Sequence, residues 1–299
     1  MIRTPLRDVI HSMPLTPQTT KKPPRTRRAM AAVPVRSNGE SFAKPDELVK
    51  ATLDSRGLSL PAHKALNLMI AKAAGDAWRD QSHKISRGEL RAIGNMPNAE
   101  IMAILDEMAA VRFHIEGTSD RGRAVLRRRP MFRILDEEQS DADDDEIVFE
   151  FDPTIRKIMA TSEHYTALIT SAVLAFDSKY AARLYEIGSR QARIGEALKV
   201  SPDKLRQLLG VPEGKMKGWN DFRRFVLDKA QIEVNQVADF TMDWRADKHR
   251  GRVVTQVSIA FVEKDAAGKA EAAAMRTAHR SVRRGRRKGA EIIIEDPSS

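Results

Sequence analysis

The chain contains no cysteine, so it can build neither a disulfide framework nor a thiolate nucleophile or metal ligand, and a reducing, cytoplasmic setting is expected. It has no run approaching the ~18 apolar residues of a membrane helix, and its first residues lack the apolar centre of a secretory signal. That opening bears arginine and little acid, as an organelle transit peptide does. Prolines at 5, 14, 17, 23, 24 and 34 oppose the amphipathic helix such a peptide forms. The histidines, at 11, 63, 83, 114, 164, 249 and 279, show no paired metal-ligand spacing. No metal or cofactor is expected. The nearest approach to a phosphate loop, Gly210-Val211-Pro212-Glu213-Gly214-Lys215-Met216, is one residue short and has Met where a magnesium-binding Ser or Thr belongs. With no reactive constellation in view, the expectation is a protein that is not an enzyme.

What the chain does have is positive charge, unevenly placed. Residues 1–44 hold nine Lys and Arg against two acids, and residues 263–299 hold nine against six. The middle, 45–262, holds thirty-three of each. Within it an acidic stretch, 136–155, has ten acids and no base, and it masks an excess of base on both sides. A chain of 299 residues is long enough for roughly two domains.

The most informative stretch is Trp219 to Asn235. At 3.6 residues per turn, Trp219, Phe222, Phe225, Val226, Leu227, Ala230, Ile232 and Val234 cover most of a helix surface. One polar stripe remains, made of Asn220, Arg224, Asp228, Gln231 and Asn235. Lys215, Lys217, Arg223 and Arg224 cluster at its start, where unpaired backbone N–H groups also favour an anion. Upstream, Ser201 to Gly210 reads as a short helix with Ser201 as N-cap, Pro202 in the first turn, Gly210 as the stop, and Lys204 and Arg206 among its basic residues. Two such helices form a helix-turn-helix. Phe240 to Trp244 and Val253 to Phe261 then read as strands joined by a basic loop, a wing that carries Lys248, Arg250 and Arg252 toward a phosphate backbone.

Phe176 to Ile187 (FDSKYAARLYEI), Leu205 to Val211, Phe222 to Ala230, Glu233-Val234-Asn235 and the strand from Gly251 to Phe261 resemble, in order and spacing, the C-terminal winged helix of the replication initiators of theta-replicating plasmids. Phe225 departs from the pattern, which has a basic or polar residue after the Arg pair. The resemblance implies binding to double-stranded DNA at direct repeats called iterons. It also implies a monomer that opens the origin with host initiator, helicase and chaperones, and a homodimer in equilibrium with it that represses the protein's own gene. Tyr180 and Tyr185 fall within the helix of that motif, where packing is the expected role rather than DNA cleavage.

The region from Pro45 to Thr161 is expected to repeat the design. Asp46 to Arg56 and Pro61 to Trp78 read as helices, Ser86-Arg87-Gly88-Glu89 as a capping box opening a short helix, and Pro97 as the start of another. Val111 to Glu116 and Val125 to Leu135 read as strands of a hairpin whose tip carries Arg121 and Arg123. Lys84, Arg87 and Arg91 complete the DNA-contact candidates of this domain. The run Asp136 to Glu146 lacks the ligand positions of a calcium loop and reads as a solvated loop. Ile147 to Phe151 reads as a strand, Asp152-Pro153 as the cap of a helix to Ala160, and Glu163 to Phe176 and Asp177 to Ala192 as helices.

The expected architecture is therefore mainly α with small β-hairpins, an α+β fold of two tandem winged-helix domains. A disordered basic arm covers 1–44, the first domain (dimerisation and accessory DNA binding) 45–161, the second (iteron binding) 162–262, and a basic tail 263–299. The arm serves equally well as a solubilising segment or as a handle on DNA. A two-domain winged-helix transcription regulator without initiator activity is the alternative, and a nuclease or strand-transfer enzyme is a different class.

Overall fold

The computed structural model describes residues 40–54, 57–73, 79–138, 140 and 142–285, with side chains as far as 279. Strand β1 (Ser41–Pro45) is buried along its whole length. It leads into one turn of helix, α1 (Asp46–Val49), and a two-residue strand, β2 (Thr52–Leu53). The helix expected to reach Arg56 stops early because the carbonyls of Val49 and Ala51 accept hydrogen bonds from the Arg183 guanidinium at 2.9 and 3.1 Å. Helix α2 (Leu60–Lys72) is capped by Ser59. Strand β3 (His83–Ser86) runs into α3 (Arg87–Arg91), whose capping box of Ser86 and Glu89 forms as expected. Helix α4 (Asn98–Ala110) follows Pro97.

Next come strands β4 (Phe113–Thr118), β5 (Ala124–Arg129), β6 (Phe132–Glu137) and β7 (Glu146–Phe151). Asp152 caps α5 (Pro153–Thr161), accepting from the N–H of Thr154 at 2.7 Å. Strand β8 (Tyr165–Ile169), α6 (Thr170–Ala175) and the long α7 (Lys179–Ile194) lead to β9 (Leu198–Val200) and α8 (Pro202–Leu208). The helical run 219–237 has three parts: α9 (Trp219–Phe222), a π turn (Arg223–Leu227) and α10 (Asp228–Val237). Strands β10 (Phe240–Arg250) and β11 (Val253–Glu263) form a hairpin, and α11 (Ala266–Gly285) ends the described chain.

Two units share one connectivity. In the first, α2, β3, α3 and α4 are followed by β6 and β7, with strand order β3-β7-β6. In the second, α7, β9, α8 and 219–237 are followed by β10 and β11, with order β10-β11-β9. Each is three helices with a three-stranded antiparallel sheet, the winged-helix arrangement, so the chain is two tandem winged-helix domains. The β4–β5 hairpin belongs to neither three-stranded wing sheet. It pairs with β2 and is an insertion between α4 and β6.

This corrects the expected strand from Val125 to Leu135, which breaks at Pro130 into strands of two different sheets. Pro130 sits between them because it has no N–H for a ladder. The expected hairpin tip around Arg121 is the tip of the insertion, and the wing of the first domain is the acidic loop between β6 and β7. The arm expected to be disordered through Lys44 also ends sooner, since β1 pairs antiparallel with β8 from Ser41↔Ile169 to Pro45↔Tyr165. Residues 165–169, expected to be helical, alternate between buried and half-buried as a strand does. The β1–β8 pair crosses the expected boundary at 161/162. The tail is helical through Gly285, packed by Ala272 and Arg276 against the second domain. Residues 1–39, 74–78 and 286–299, where the rest of the arm, the end of the second expected helix and much of the basic tail fall, lie outside the described residues.

Helix α7 is the spine between the domains. Its Glu186 is fully buried and takes hydrogen bonds from Lys44 Nζ and Asn67 Nδ2 at 2.8 Å and from Arg183 at 2.6 Å, with His63 Nε2 at 3.1 Å. Arg183 also donates to the Leu208 carbonyl at 3.2 Å, so one guanidinium ties the first domain's chain reversal to the end of α8.

Candidate nucleic-acid interface

Helix α8 forms where its caps place it. The Ser201 hydroxyl accepts from the Lys204 N–H at 3.2 Å, Pro202 occupies the first turn, and Gly210 closes the helix at φ 65°. The turn to α9 is held by Arg206. Its guanidinium donates to the carbonyls of Met216 and Lys217 at 3.1 Å each, pairs with Asp203 at 2.9 Å, and lies 4.6 Å from the centre of the Phe222 ring. Arg206 is thus a fastener of the helix-turn-helix with all three of its guanidinium nitrogens engaged inside the domain, and its expected phosphate contact is corrected. Lys204 is also occupied: it pairs with Glu116 of β4 at 2.7 Å and holds that carboxyl below its usual range.

The cations at the start of the helical run stay outside. Lys215, Lys217, Asn220, Arg223 and Arg224 are exposed. Arg223 stands 3.9 Å from Asp228, whereas Lys215, Lys217 and Arg224 have no acidic partner among the described residues. The sequence pattern pairs Arg224 with Asp228 at i+4. The π turn changes the partner, because the Asp228 N–H bonds the Arg223 carbonyl at i−5.

That extra residue also rotates the later part of the stripe. Asn235 exchanges two hydrogen bonds with the Met242 backbone, at 2.6 and 3.2 Å, and Gln231 bonds Asp243 at 3.2 Å, so both face β10. Phe225 and Ile232, expected inside, are 44% and 61% exposed. The exposed residues of the run are therefore Asn220, Asp221, Arg223, Arg224, Phe225, Lys229, Ile232 and Gln236. Lys229 was missed because a uniform wheel places it beside the core.

Trp219 meets Trp244 edge-on at 5.9 Å, which locks the start of the run to the hairpin. The strands of that hairpin run six residues further on the β10 side than expected. They reverse through a two-residue turn at Gly251 and Arg252, where Gly251 takes φ 61°. Lys248, Arg250 and Arg252 are exposed at this end with no acidic partner among the described residues.

The first domain is arranged differently. Arg87 is 2% exposed, donates to the Glu138 carbonyl at 2.7 Å and lies 3.3 Å from Asp145 and 3.8 Å from Glu137. Arg91 pairs with Asp143, and Lys84 with Glu146 at 2.5 Å. The acidic loop has folded onto its own helix-turn-helix and taken its cations, so Arg87 in particular cannot reach a phosphate. The exposed positions of α4, Ala99, Glu100, Ala103, Asp106, Ala109 and Ala110, hold no cation. A cluster of this domain's exposed base lies on the inserted hairpin, where Arg121 and Arg123 are joined by Arg128 and Arg129, with Arg127 half-buried, and Lys50, Arg112 and Lys157 are exposed elsewhere. The run of three arginines at 127–129 was the overlooked signal.

Residues 41–189 match the family described as "Initiator Replication protein, WH1", and residues 201–261 match "Initiator Rep protein, WH2". The chain belongs to the initiator Rep protein family. The second match runs from the cap of α8 to near the end of β11, and the first takes in most of α7. Helix α11 lies beyond both. Among solved structures, one titled "Crystal structure of Pi initiator protein in complex with iteron DNA" is similar over 77% of this chain and 100% of its own, with a TM-score of 0.57 at 18% identity. No curated protein sequence matches the chain. Among the described residues no helix is long and apolar enough to cross a membrane, and no group of His, Asp or Glu is arranged to hold a metal ion.

Proposed function

We propose that this Rep initiator binds double-stranded DNA at direct repeats of a plasmid origin. In this reading the second domain sets the helical run 219–237 in the major groove, and the β10–β11 wing lies along the backbone. One observation carries it: six of the second domain's exposed cations without an acidic partner among the described residues, Lys215, Lys217, Arg224, Lys248, Arg250 and Arg252, collect at the start of that run and at the hairpin end, with Lys229 further along the run and Arg193 and Lys199 elsewhere. Arg206, Arg183 and Arg276 are instead consumed inside. Family membership and the likeness to an initiator solved on iteron DNA support it.

In the first domain the same bookkeeping of partners points away from the helix-turn-helix. Arg121 and Arg123 would reach flanking phosphates from the inserted hairpin, while α4 and the acidic wing would repel them. Binding, rather than catalysis, is the whole of the proposed activity, and repression of its own gene by a homodimer belongs to the same proposal. The test is titration of the full chain against duplexes from the DNA beside its gene. Preference for short direct repeats supports an initiator, preference for one inverted repeat at the promoter supports a transcription regulator, and equal binding to scrambled duplex overturns both.

A further inference from the structure

The π turn places a large aromatic residue where a continuous helix would bury it. Inward from Phe222, an uninterrupted α-helix would bury positions 225, 226, 229 and 233. The residue inserted by the π turn moves the buried set to Val226, Leu227, Ala230 and Val234, all 1% exposed or less. Phe225 is thereby turned outward. Arg224 and Lys229 lie over its ring at 5.4 and 5.6 Å, so the phenyl group has two cations beside it. Ile232 stands seven residues on, about 10 Å along the axis and on the same face. A single exposed apolar residue is ordinary. Two of them, in line on the outward face of one helix, with Arg223, Arg224 and Lys229 outnumbering the one exposed acid, Asp221, are a surface for a partner that is negatively charged at its edges and apolar in its middle. The major groove beside a thymine is such a surface, with phosphates along its walls and a C5-methyl group projecting from the base edge.

We infer that Phe225 is a specificity-determining residue that packs on a thymine methyl group in the major groove, with Ile232 as a second apolar contact further along. The inference rests on the DNA-binding reading above and names which base atom is recognised. Lys229 then holds a phosphate beside the ring while Arg224 reads a neighbouring base edge, and the π turn is the device that presents the phenyl group.

The experiment uses the full chain and a duplex carrying one copy of the direct repeat found beside its gene, with each thymine replaced in turn by deoxyuridine, which deletes only the methyl group. The parent should lose about fourfold in affinity at one thymine, the worth of one buried methyl. Phe225→Ala should weaken binding to the unmodified repeat by at least as much. It should lose nothing more at that thymine while responding like the parent at every other. Phe225→Leu, which keeps an apolar side chain, should restore part of the methyl dependence. If Phe225→Ala binds the unmodified repeat as the parent does, or loses the same factor on every deoxyuridine duplex, the residue only packs the helix and the inference is overturned. If the parent itself fails to prefer the repeat over a scrambled duplex, the DNA-reading function fails, and that result is visible before any variant is made.

Discussion

The carboxylate of Glu186 on α7 accepts a hydrogen bond from the ammonium of Lys44 on β1 at 2.8 Å, and neither side chain reaches water. The pair joins β1 to the spine helix α7, with His63, Asn67 and Arg183 completing the cluster. A buried pair of this kind adds little by itself, but losing one partner strands the other charge in a low-dielectric interior. Lys44→Met should therefore lower stability by about 3 kcal/mol or more, read as a shift in urea midpoint. An unchanged midpoint would mean the cluster is hydrated.

The same cluster sets a pH dependence. Burial, opposed by the Glu186 charge, holds the His63 imidazole below its ordinary value of 6.5. The charges of Lys44, His63 and Arg183 outweigh burial and hold Glu186 well below 4.5. Both folded values are depressed, so each group's stabilising share is complete above its unfolded value and is lost as pH falls through the folded one. Melting temperature should start to fall below about pH 6.5, from His63, and fall further below about 4.5, from Glu186. His63→Gln should abolish the first step and leave the second. A melting temperature flat from pH 7 to 5 in the parent would contradict the assignment.

Arg87 and Arg250 separate structural from DNA-facing arginines. Arg87→Ala leaves Asp145 and Glu137 facing an emptied site and should cost about 3 kcal/mol of stability with no change in the salt slope of DNA binding. Arg250→Ala should leave the melting temperature unchanged, weaken every duplex, and flatten the slope of log affinity against log salt by about one unit. The reverse pattern would mean that the internal and external cations have been exchanged.

Helix α11 predicts a role for the C-terminal segment that charge alone does not suggest. Arg276, 8% exposed, donates at 2.8 Å to the Val237 carbonyl at the end of α10 and to Asp239. Ending the chain after Glu263 should therefore lower the melting temperature by several degrees and speed amide exchange at the end of α10, beyond any general loss of DNA affinity. A truncated chain with the parent's melting curve would return the tail to a purely electrostatic part.

The parts legible in the sequence were those fixed by local chemistry. Ser201 and Gly210 mark the ends of α8, Ser86 and Glu89 the start of α3, and Asp152 the start of α5, because caps are satisfied within a few residues. What stayed hidden depended on distant partners. Nothing near Arg206 announces that it will fasten the turn, or near Arg87 that an acidic wing some fifty residues on will enclose it. The first domain's wing was misplaced because a basic hairpin looks more like a DNA-binding wing than an acidic loop does, and only the pairing of β3 with β7 decides between them. The face of 219–237 was partly misassigned because a wheel assumes uniform pitch, and the π turn at Arg223–Leu227 breaks it.

Whether the outward face of 219–237 reads a DNA sequence is decided by competition between a duplex bearing the direct repeat and a scrambled duplex of equal length, for the full chain and for Arg224→Ala, at two salt concentrations. The parent should prefer the repeat by about 10³-fold or more, and Arg224→Ala should lose about tenfold on the repeat and little on the scrambled duplex. Equal affinity of the parent for both duplexes, or equal loss on both in the variant, would contradict sequence reading by this face.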